Sequence, residues 1–192
     1  MNQRKGNQKE IKRYTKTYEN SENFTNASKS LDDFASVRSI LIQDFRGLIK
    51  MNRDLLHNQR LFNALYRTLV KELFSLIESD LQFLVSIDPY PEFSDSKKIS
   101  FEQLFKRTYK QVYKTWNLQN VQKQYFDQKI QKLMILRKLR NDFVHPKNTD
   151  VFNDVTLKEL DKIENIFNYY YNFTSQLIKV IEIGGSPSKN PI

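Results

Sequence analysis

Five stretches of this chain repeat large apolar residues at steps of three and four, which places the apolar side chains of each stretch on one face of a helix. The stretches cover residues 31–56, 59–87, 101–116, 118–144 and 156–181. Only 4 Gly and 5 Pro occur in 192 residues, too few for the many tight turns of an all-β chain. The pattern predicts an all-α bundle of about five helices, without a sheet of consequence.

Two capping boxes and the distribution of polar residues set the predicted boundaries. Ser100–Gln103 and Thr156–Glu159 each have the spacing at which two residues cap a helix start reciprocally. We predict a helical domain over residues 31–183, between a flexible basic arm at 1–30 and a flexible tail at 184–192. In the first helix, the predicted buried stripe is Leu31, Phe34, Val37, Leu41, Phe45 and Leu48.

Positive charge is concentrated in one part of the chain. The formal net charge is +9, from 31 Lys and Arg against 22 Asp and Glu. Residues 97–147 carry a net charge of +10, whereas residues 31–96 and 148–192 are both net acidic. This asymmetry favours a polyanionic partner such as nucleic acid, and the alternative is that these cations only solvate the outer faces of helices. The candidate phosphate contacts are Lys106, Arg107, Lys110, Lys114, Arg137, Lys138 and Lys147.

The residue types that the chain lacks exclude several kinds of site. No Cys is present, so disulfides and thiolate metal sites are excluded, as in many proteins of the reducing cytosol. The two histidines, His57 and His145, form no H-E-x-x-H pattern, and no G-x-S-x-G motif occurs. No apolar run approaches the ~18 residues of a membrane helix. We therefore expect a cytoplasmic protein with no metal, no cofactor and no membrane anchor.

The end of the fourth predicted helix carries the most informative run, RKLRNDFVHP at residues 137–146. Asn141 and His145 are one turn apart, so their side chains can meet on one face. Arg140 and His145 diverge by about 140° on an ideal helix. Pro146 disfavours helical geometry at His145, so the imidazole can turn toward a groove shared with Arg140. The alternative is a helix that simply ends in a polar residue before proline.

This run resembles the motif of the HEPN superfamily (higher eukaryotes and prokaryotes nucleotide-binding), whose helical bundles carry an arginine and a histidine separated by four to six residues, often as R-N-x-x-x-H. RNDFVH at 140–145 fits that pattern, and the resemblance covers about residues 55–182. It implies a metal-independent endoribonuclease, often of toxin–antitoxin or antiphage systems, that forms a homodimer with two motifs in one cleft. Arg140 and His145 take the catalytic positions, and Asn141 takes that of the polar residue that orients the site.

The resemblance also implies a polar or acidic residue on an earlier helix that faces the motif. Glu78 is the candidate, with Glu72 behind it, and a solvated helix face is the alternative for both. Members that are paired with nucleotidyltransferase antitoxins carry a Tyr two residues after the histidine. Lys147 occupies that position here, so control by modification of that Tyr is not expected.

The chemistry of RNA cleavage suits these residue types. RNA supplies its own nucleophile, the 2′-OH, so no activated protein nucleophile is required. A His can move protons, and an Arg can bind the transition-state phosphate. The motif supplies one His and one Arg per chain, which is an incomplete acid–base pair. A symmetric dimer would supply two of each, and this favours the dimer.

Two alternatives stay open. The first is a non-catalytic RNA- or DNA-binding module in which the cations of the third predicted helix only hold phosphates; Tyr109, Tyr113 and Trp116 could stack on bases there, although their spacing is more typical of a core. The second is an inactive HEPN-like interaction protein. The expected partners are RNA, a second copy, and an antitoxin or defence-system protein.

Overall fold

The computed structural model of the protein describes residues 21–87, 99–116, 119–147 and 154–185. These residues contain no strand, and they form the helices α1 (Ser21–Asp54), α2 (Gln59–Ile87), α3 (Phe101–Trp116), α4 (Gln119–Val144) and α5 (Leu157–Gly185). The prediction of an all-α bundle is confirmed. Within the same ranges, no helix combines the length and apolarity that crossing a bilayer requires.

The central helix of the bundle is α2, which packs against each of the other four helices. Its buried side chains point in many directions around its axis and include Leu69, Val70, Leu73, Phe74 and Leu76. A helix that is apolar around its circumference must lie inside a protein. As a result, α2 supports α1 on one side and the end of α4, which carries the motif, on another.

Both predicted capping pairs lie at helix starts. The Ser100 amide donates to Oε1 of Gln103 at 2.9 Å, and the Gln103 amide donates to Oγ of Ser100 at 3.2 Å, so this box is reciprocal. At α5, the Thr156 amide donates to Oε2 of Glu159 at 2.7 Å and the Thr156 hydroxyl donates to the same oxygen at 3.0 Å. The carboxylate of Glu159 is therefore engaged in capping α5.

The bundle extends beyond the predicted domain at both ends. α1 begins at Ser21, so residues 21–30, which were predicted to belong to the arm, are helical and continue the first helix. The reason is visible in the sequence, because Phe24 and Ala27 continue the three-and-four spacing backwards from Leu31. α5 continues past the predicted end near residue 181 to the glycine pair at 184–185. Residues 1–20 and 186–192, the rest of the predicted arm and tail, lie outside the described residues.

The buried face of α1 differs from the predicted stripe. Phe34 and Phe45 are buried as predicted, but Val37 is 48% exposed. The core positions of the helix are Phe34, Arg38, Ile42, Phe45, Ile49 and Asn52. The predicted stripe contained only apolar residues. Arg38 nevertheless lies on the buried face, where it forms an ion pair with the buried Asp80.

Arg38 belongs to a buried polar network that joins α1, α2, α3 and α5. Its Nε donates to Asp80 at 3.1 Å, and its Nη2 donates to the hydroxyl of Thr174. The Tyr170 hydroxyl donates to Oδ2 of Asp80 at 2.9 Å, and the Tyr109 hydroxyl lies 2.9 Å from that of Tyr170. All five residues are buried. Because a buried ion requires compensation, each member depends on the others.

Asp80 should make the stability of the protein pH-dependent. Burial raises the pKa of its carboxyl to about 6 from 3.8, against the opposing effects of Arg38 and Tyr170. The folded state therefore binds the Asp80 proton more tightly than the unfolded state, so this contribution to stability is complete below pH 3.8 and is lost as the pH rises through 6. Relative to Asp80→Asn, the wild-type protein should lose at most about 3 kcal/mol between pH 4 and pH 7. Urea denaturation of both proteins at each pH measures this difference, and a constant difference would contradict it.

Gly47 in the middle of α1 offers a stabilising substitution. A Cβ added there meets nothing within 4 Å, and the residue is exposed in a helix interior. Gly47→Ala should raise the free energy of unfolding by about 0.5–1 kcal/mol, because alanine restricts the unfolded chain and favours the helix. The urea midpoint checks this expectation, and a lower midpoint than that of the wild type would contradict it.

Candidate functional site

The motif lies on the last two turns of α4, where that helix packs on α2 and α3. Leu133, Leu136 and Phe143 anchor α4 in the core, and the Phe143 ring meets the Tyr66 ring edge-on, with centroids 6.3 Å apart. Tyr66 lies in the first half of α2, so α4 ends near the start of α2. These contacts fix the direction of the arginines that alternate with the buried residues.

Arg140 lies beside the predicted acidic partner, Glu78 of α2. Nη2 of Arg140 is 3.9 Å from Oε1 of Glu78, and the two side chains are 27% and 38% exposed. At this distance the pair is an ion pair without a hydrogen bond, so the Nη donors are not committed to the carboxylate. Glu72 is half-buried and has no ion pair with Arg140 among the described residues. The structure thus brings together Arg140 and Glu78, and leaves Glu72 apart.

Arg137 supplies a second guanidinium next to the first. Its Nη1 donates to Oδ1 of Asn141 at 2.6 Å, and its Cζ lies 4.7 Å from the Phe101 ring centroid and 5.6 Å from that of Phe74. Burial lowers the pKa of Arg137, and the charge of Arg140 lowers it further. These cation–π contacts and the bond to Asn141 hold the Arg137 guanidinium in place, and its role as a phosphate contact stays a prediction.

The two arginines also share an unusual feature. The Nε atoms of Arg137 and Arg140 are buried, and neither has a hydrogen-bond partner within the described parts of the chain. An unpaired buried donor costs about 1–3 kcal/mol. Packing therefore holds the two guanidinium groups in place. They lie in a part of the chain with net positive charge, and Glu78 is the nearest carboxylate among the described residues.

His145 is exposed and directly follows the last residue of α4. α4 ends at Val144, and the His145 amide donates to the Asn141 carbonyl at 2.8 Å, which closes the last turn of the helix. The divergence of about 140° from Arg140 applies to an ideal helix that continues through His145. In the described part of the chain, no hydrogen bond or ion pair joins the His145 imidazole to Arg140, Asn141 or Glu78. His145 itself lies in a bend after the last helical residue, and the turn of its imidazole toward Arg140 stays a prediction.

The predicted phosphate contacts on α3 form an exposed basic face. Lys106, Arg107, Lys110 and Lys114 are all exposed, and Nζ of Lys106 is engaged with Glu102 at 2.5 Å. Lys138 and Lys147 near the motif are exposed as well. Tyr109 and Tyr113 are buried in the core, as their spacing predicted, so these two side chains are not placed to stack on bases. The side chain of Trp116 lies outside the described residues.

Within the described ranges, no group of three or more His, Asp or Glu side chains is close enough to hold a metal ion. Arg38 and Asp80 were not predicted from the sequence as buried polar residues. Each is a charged residue that interrupts the apolar stripe of its helix, and this interruption could have identified them.

Comparisons with protein-family models, with curated proteins and with solved structures found no match to this chain.

Proposed function

We propose that this protein is a metal-independent endoribonuclease of the HEPN type, which cleaves RNA through attack of the 2′-OH on the adjacent phosphate. The observation that supports this most is the half-exposed pair of arginines on α4, next to a helix end that presents an exposed histidine. Guanidinium groups bind phosphate oxygens through two parallel hydrogen bonds. An imidazole exchanges protons near neutral pH. Together they supply charge stabilisation and proton transfer without a protein nucleophile.

The divergence of Arg140 and His145 favours a site shared by two chains. Their spacing would place the two side chains about 140° apart on an ideal helix, so a single phosphate cannot easily meet both. A two-fold symmetric dimer that juxtaposes the ends of two α4 helices offers two of each residue in one cleft. In this arrangement, Arg140 of one chain binds the scissile phosphate beside Glu78, while Asn141 holds the neighbouring guanidinium of Arg137. The same arrangement suits a toxin or antiphage nuclease whose activity a partner protein restrains.

A non-catalytic nucleic-acid-binding module is the second candidate function, and the exposed basic face of α3 favours it. Phe101 of α3 contacts Arg137, and Lys110 and Lys114 lie roughly 14 Å and 20 Å farther along α3. The lysines are therefore placed to contact successive phosphates of a nucleic acid that also reaches the arginines. The inactive interaction protein has less support, because it requires a buried Arg140 tied to a core carboxylate. Arg140 and Glu78 are both partly exposed, whereas the buried arginine of the described structure is Arg38.

Incubation of the purified protein with total RNA in excess EDTA tests the proposal. The wild-type protein should produce fragments with 2′,3′-cyclic phosphate and 5′-hydroxyl ends, and Arg140→Ala should not. Arg60→Ala is the matched control, because Arg60 is exposed on α2 and its loss changes the net charge equally. Cleavage that EDTA abolishes and magnesium restores would contradict the metal-independent mechanism. Salt-dependent binding without cleavage by the wild-type protein would favour the binding module.

Removal of the α3 cations should weaken RNA binding irrespective of sequence. Replacing Lys106, Lys110 and Lys114 together with Ala should lower the salt dependence of the binding constant by about one unit of slope for each phosphate that the variant no longer neutralises. Lys106 should contribute least, because Glu102 already neutralises it. Filter binding at several salt concentrations measures the slope. An unchanged slope in the triple variant would exclude α3 from the binding face.

A further inference from the structure

An open cavity of about 730 Å³ separates the second half of α4 from α5. Phe105 and Tyr66 contribute to its lining from α3 and α2, and Leu136, Leu139, Ile166 and Phe173 contribute from α4 and α5. Pockets that bind small molecules commonly measure about 300–1,000 Å³ and have mainly apolar linings. The cavity therefore has the size and lining of a small-molecule site.

The polar groups around this cavity favour an anion. Lys132 of α4 and Lys162 of α5 both line it, and both side chains are exposed, which places them toward solvent. Glu159 is the carboxylate residue among the lining residues, and it is engaged with the amide and hydroxyl of Thr156. Asn165 adds an amide group. An apolar interior with cations on two opposing helices suits a ligand with an apolar body and one negative group.

The cavity is distinct from the candidate nuclease site, although both involve α4. Lys132 and Leu139 line the cavity, whereas Arg137 and Asn141 belong to the candidate site. On an ideal helix, Lys132 and Arg137 point about 140° apart, and Leu139 and Asn141 about 160° apart. Leu136 and Arg140 point only about 40° apart, so the two sites are neighbours on α4, but none of Arg137, Arg140 and Asn141 lines the cavity.

We propose that this cavity binds a small amphipathic carboxylate, with its hydrocarbon chain among the apolar side chains of α4 and α5 and its carboxylate against Lys132 and Lys162. The exposed Ile135, at 71% exposure, extends the apolar lining to the mouth of the cavity. Binding would cover apolar surface that the isolated chain leaves in contact with water. The proposal does not depend on nuclease activity.

Titration calorimetry of the full chain with dodecanoate tests this proposal, and 1-dodecanol is the ligand that lacks the charge. We expect saturable binding of dodecanoate with a stoichiometry of one per chain. The alcohol should bind at least fivefold more weakly, because it cannot pair with the two lysines. Absence of dodecanoate binding up to about 1 mM would overturn the proposal. Equal affinity for the acid and the alcohol would overturn the role of the lysines.

Two variants locate the binding. Lys132→Gln with Lys162→Gln should weaken dodecanoate about fivefold or more and leave dodecanol unchanged. Lys71→Gln with Lys158→Gln is the matched control, because these lysines are exposed outside the cavity and the charge change is identical. Ile166→Trp, which adds volume inside the cavity, should reduce binding of both ligands. If Ile166→Trp fails to fold, the lysine pair and its control still decide the result. Equal loss in both lysine pairs would point to nonspecific attraction and contradict the proposal.

Discussion

Replacement of His145 by alanine is expected to lower the rate of metal-independent RNA cleavage by about 10²–10⁴-fold. The imidazole is exposed at the end of α4, and the change removes the proton carrier of the proposed site. Arg140→Ala should cause a comparable loss, about 2.7–4 kcal/mol in the activation free energy, if the guanidinium acts as the donor to the developing phosphate charge. Initial rates on end-labelled RNA in EDTA measure both effects.

The two variants should remain folded, because His145 is exposed and Arg140 is partly exposed in a loose ion pair. Circular dichroism and urea denaturation provide this check, with Arg60→Ala as the control for a change in charge. If the site is shared between chains, a mixture of His145→Ala and Arg140→Ala should recover activity that neither has alone. Full activity of His145→Ala would refute this mechanism and leave the binding module as the better explanation.

Local signals made the helices predictable. α2 and α3 run from Gln59 to Ile87 and from Phe101 to Trp116, the ranges that the apolar spacing predicts. The capping box at Ser100 and the carboxylate cap at Thr156 are also local, because each partner lies three residues away. The predicted start of α1 was too late for a local reason as well, because the polar composition of residues 21–30 concealed their weak apolar spacing.

The tertiary pairing of polar groups was much less predictable. Arg38 lies 42 residues from Asp80 and 136 residues from Thr174, so no window of the sequence contains the network. At the candidate site, the stacking of Arg137 on Phe101 depends on how α4 crosses α3, and periodicity does not specify that crossing. The ion pair of Glu78 with Arg140 was predicted only from the resemblance, because Glu78 and Arg140 lie 62 residues apart in the chain.

The buried network therefore gives the second prediction of large effect: Arg38→Met should lower the free energy of unfolding by about 3–5 kcal/mol at pH 7. The substitution leaves Asp80 without its cation in the core, although the methionine retains much of the volume. Replacing both partners, as Arg38→Met with Asp80→Leu, should recover most of this loss, because no unpaired charge then remains. Urea denaturation of the single and double variants measures the difference.

Arg53→Met is the matched control, because Arg53 also joins α1 to α5 but does so near the surface. Its Nη2 pairs with Asp161 at 2.7 Å and with Glu164 at 2.5 Å, and its side chain is 38% exposed. Such a pair contributes about 0–1 kcal/mol, so the control should lose far less than Arg38→Met. The loss in Arg38→Met should also shrink at pH 5, because Asp80, with its pKa raised by burial, becomes protonated and no longer needs a cation. Equal losses in the two arginine variants, or a loss in Arg38→Met that does not change with pH, would show that the buried ion pair is not what holds α1 to the bundle.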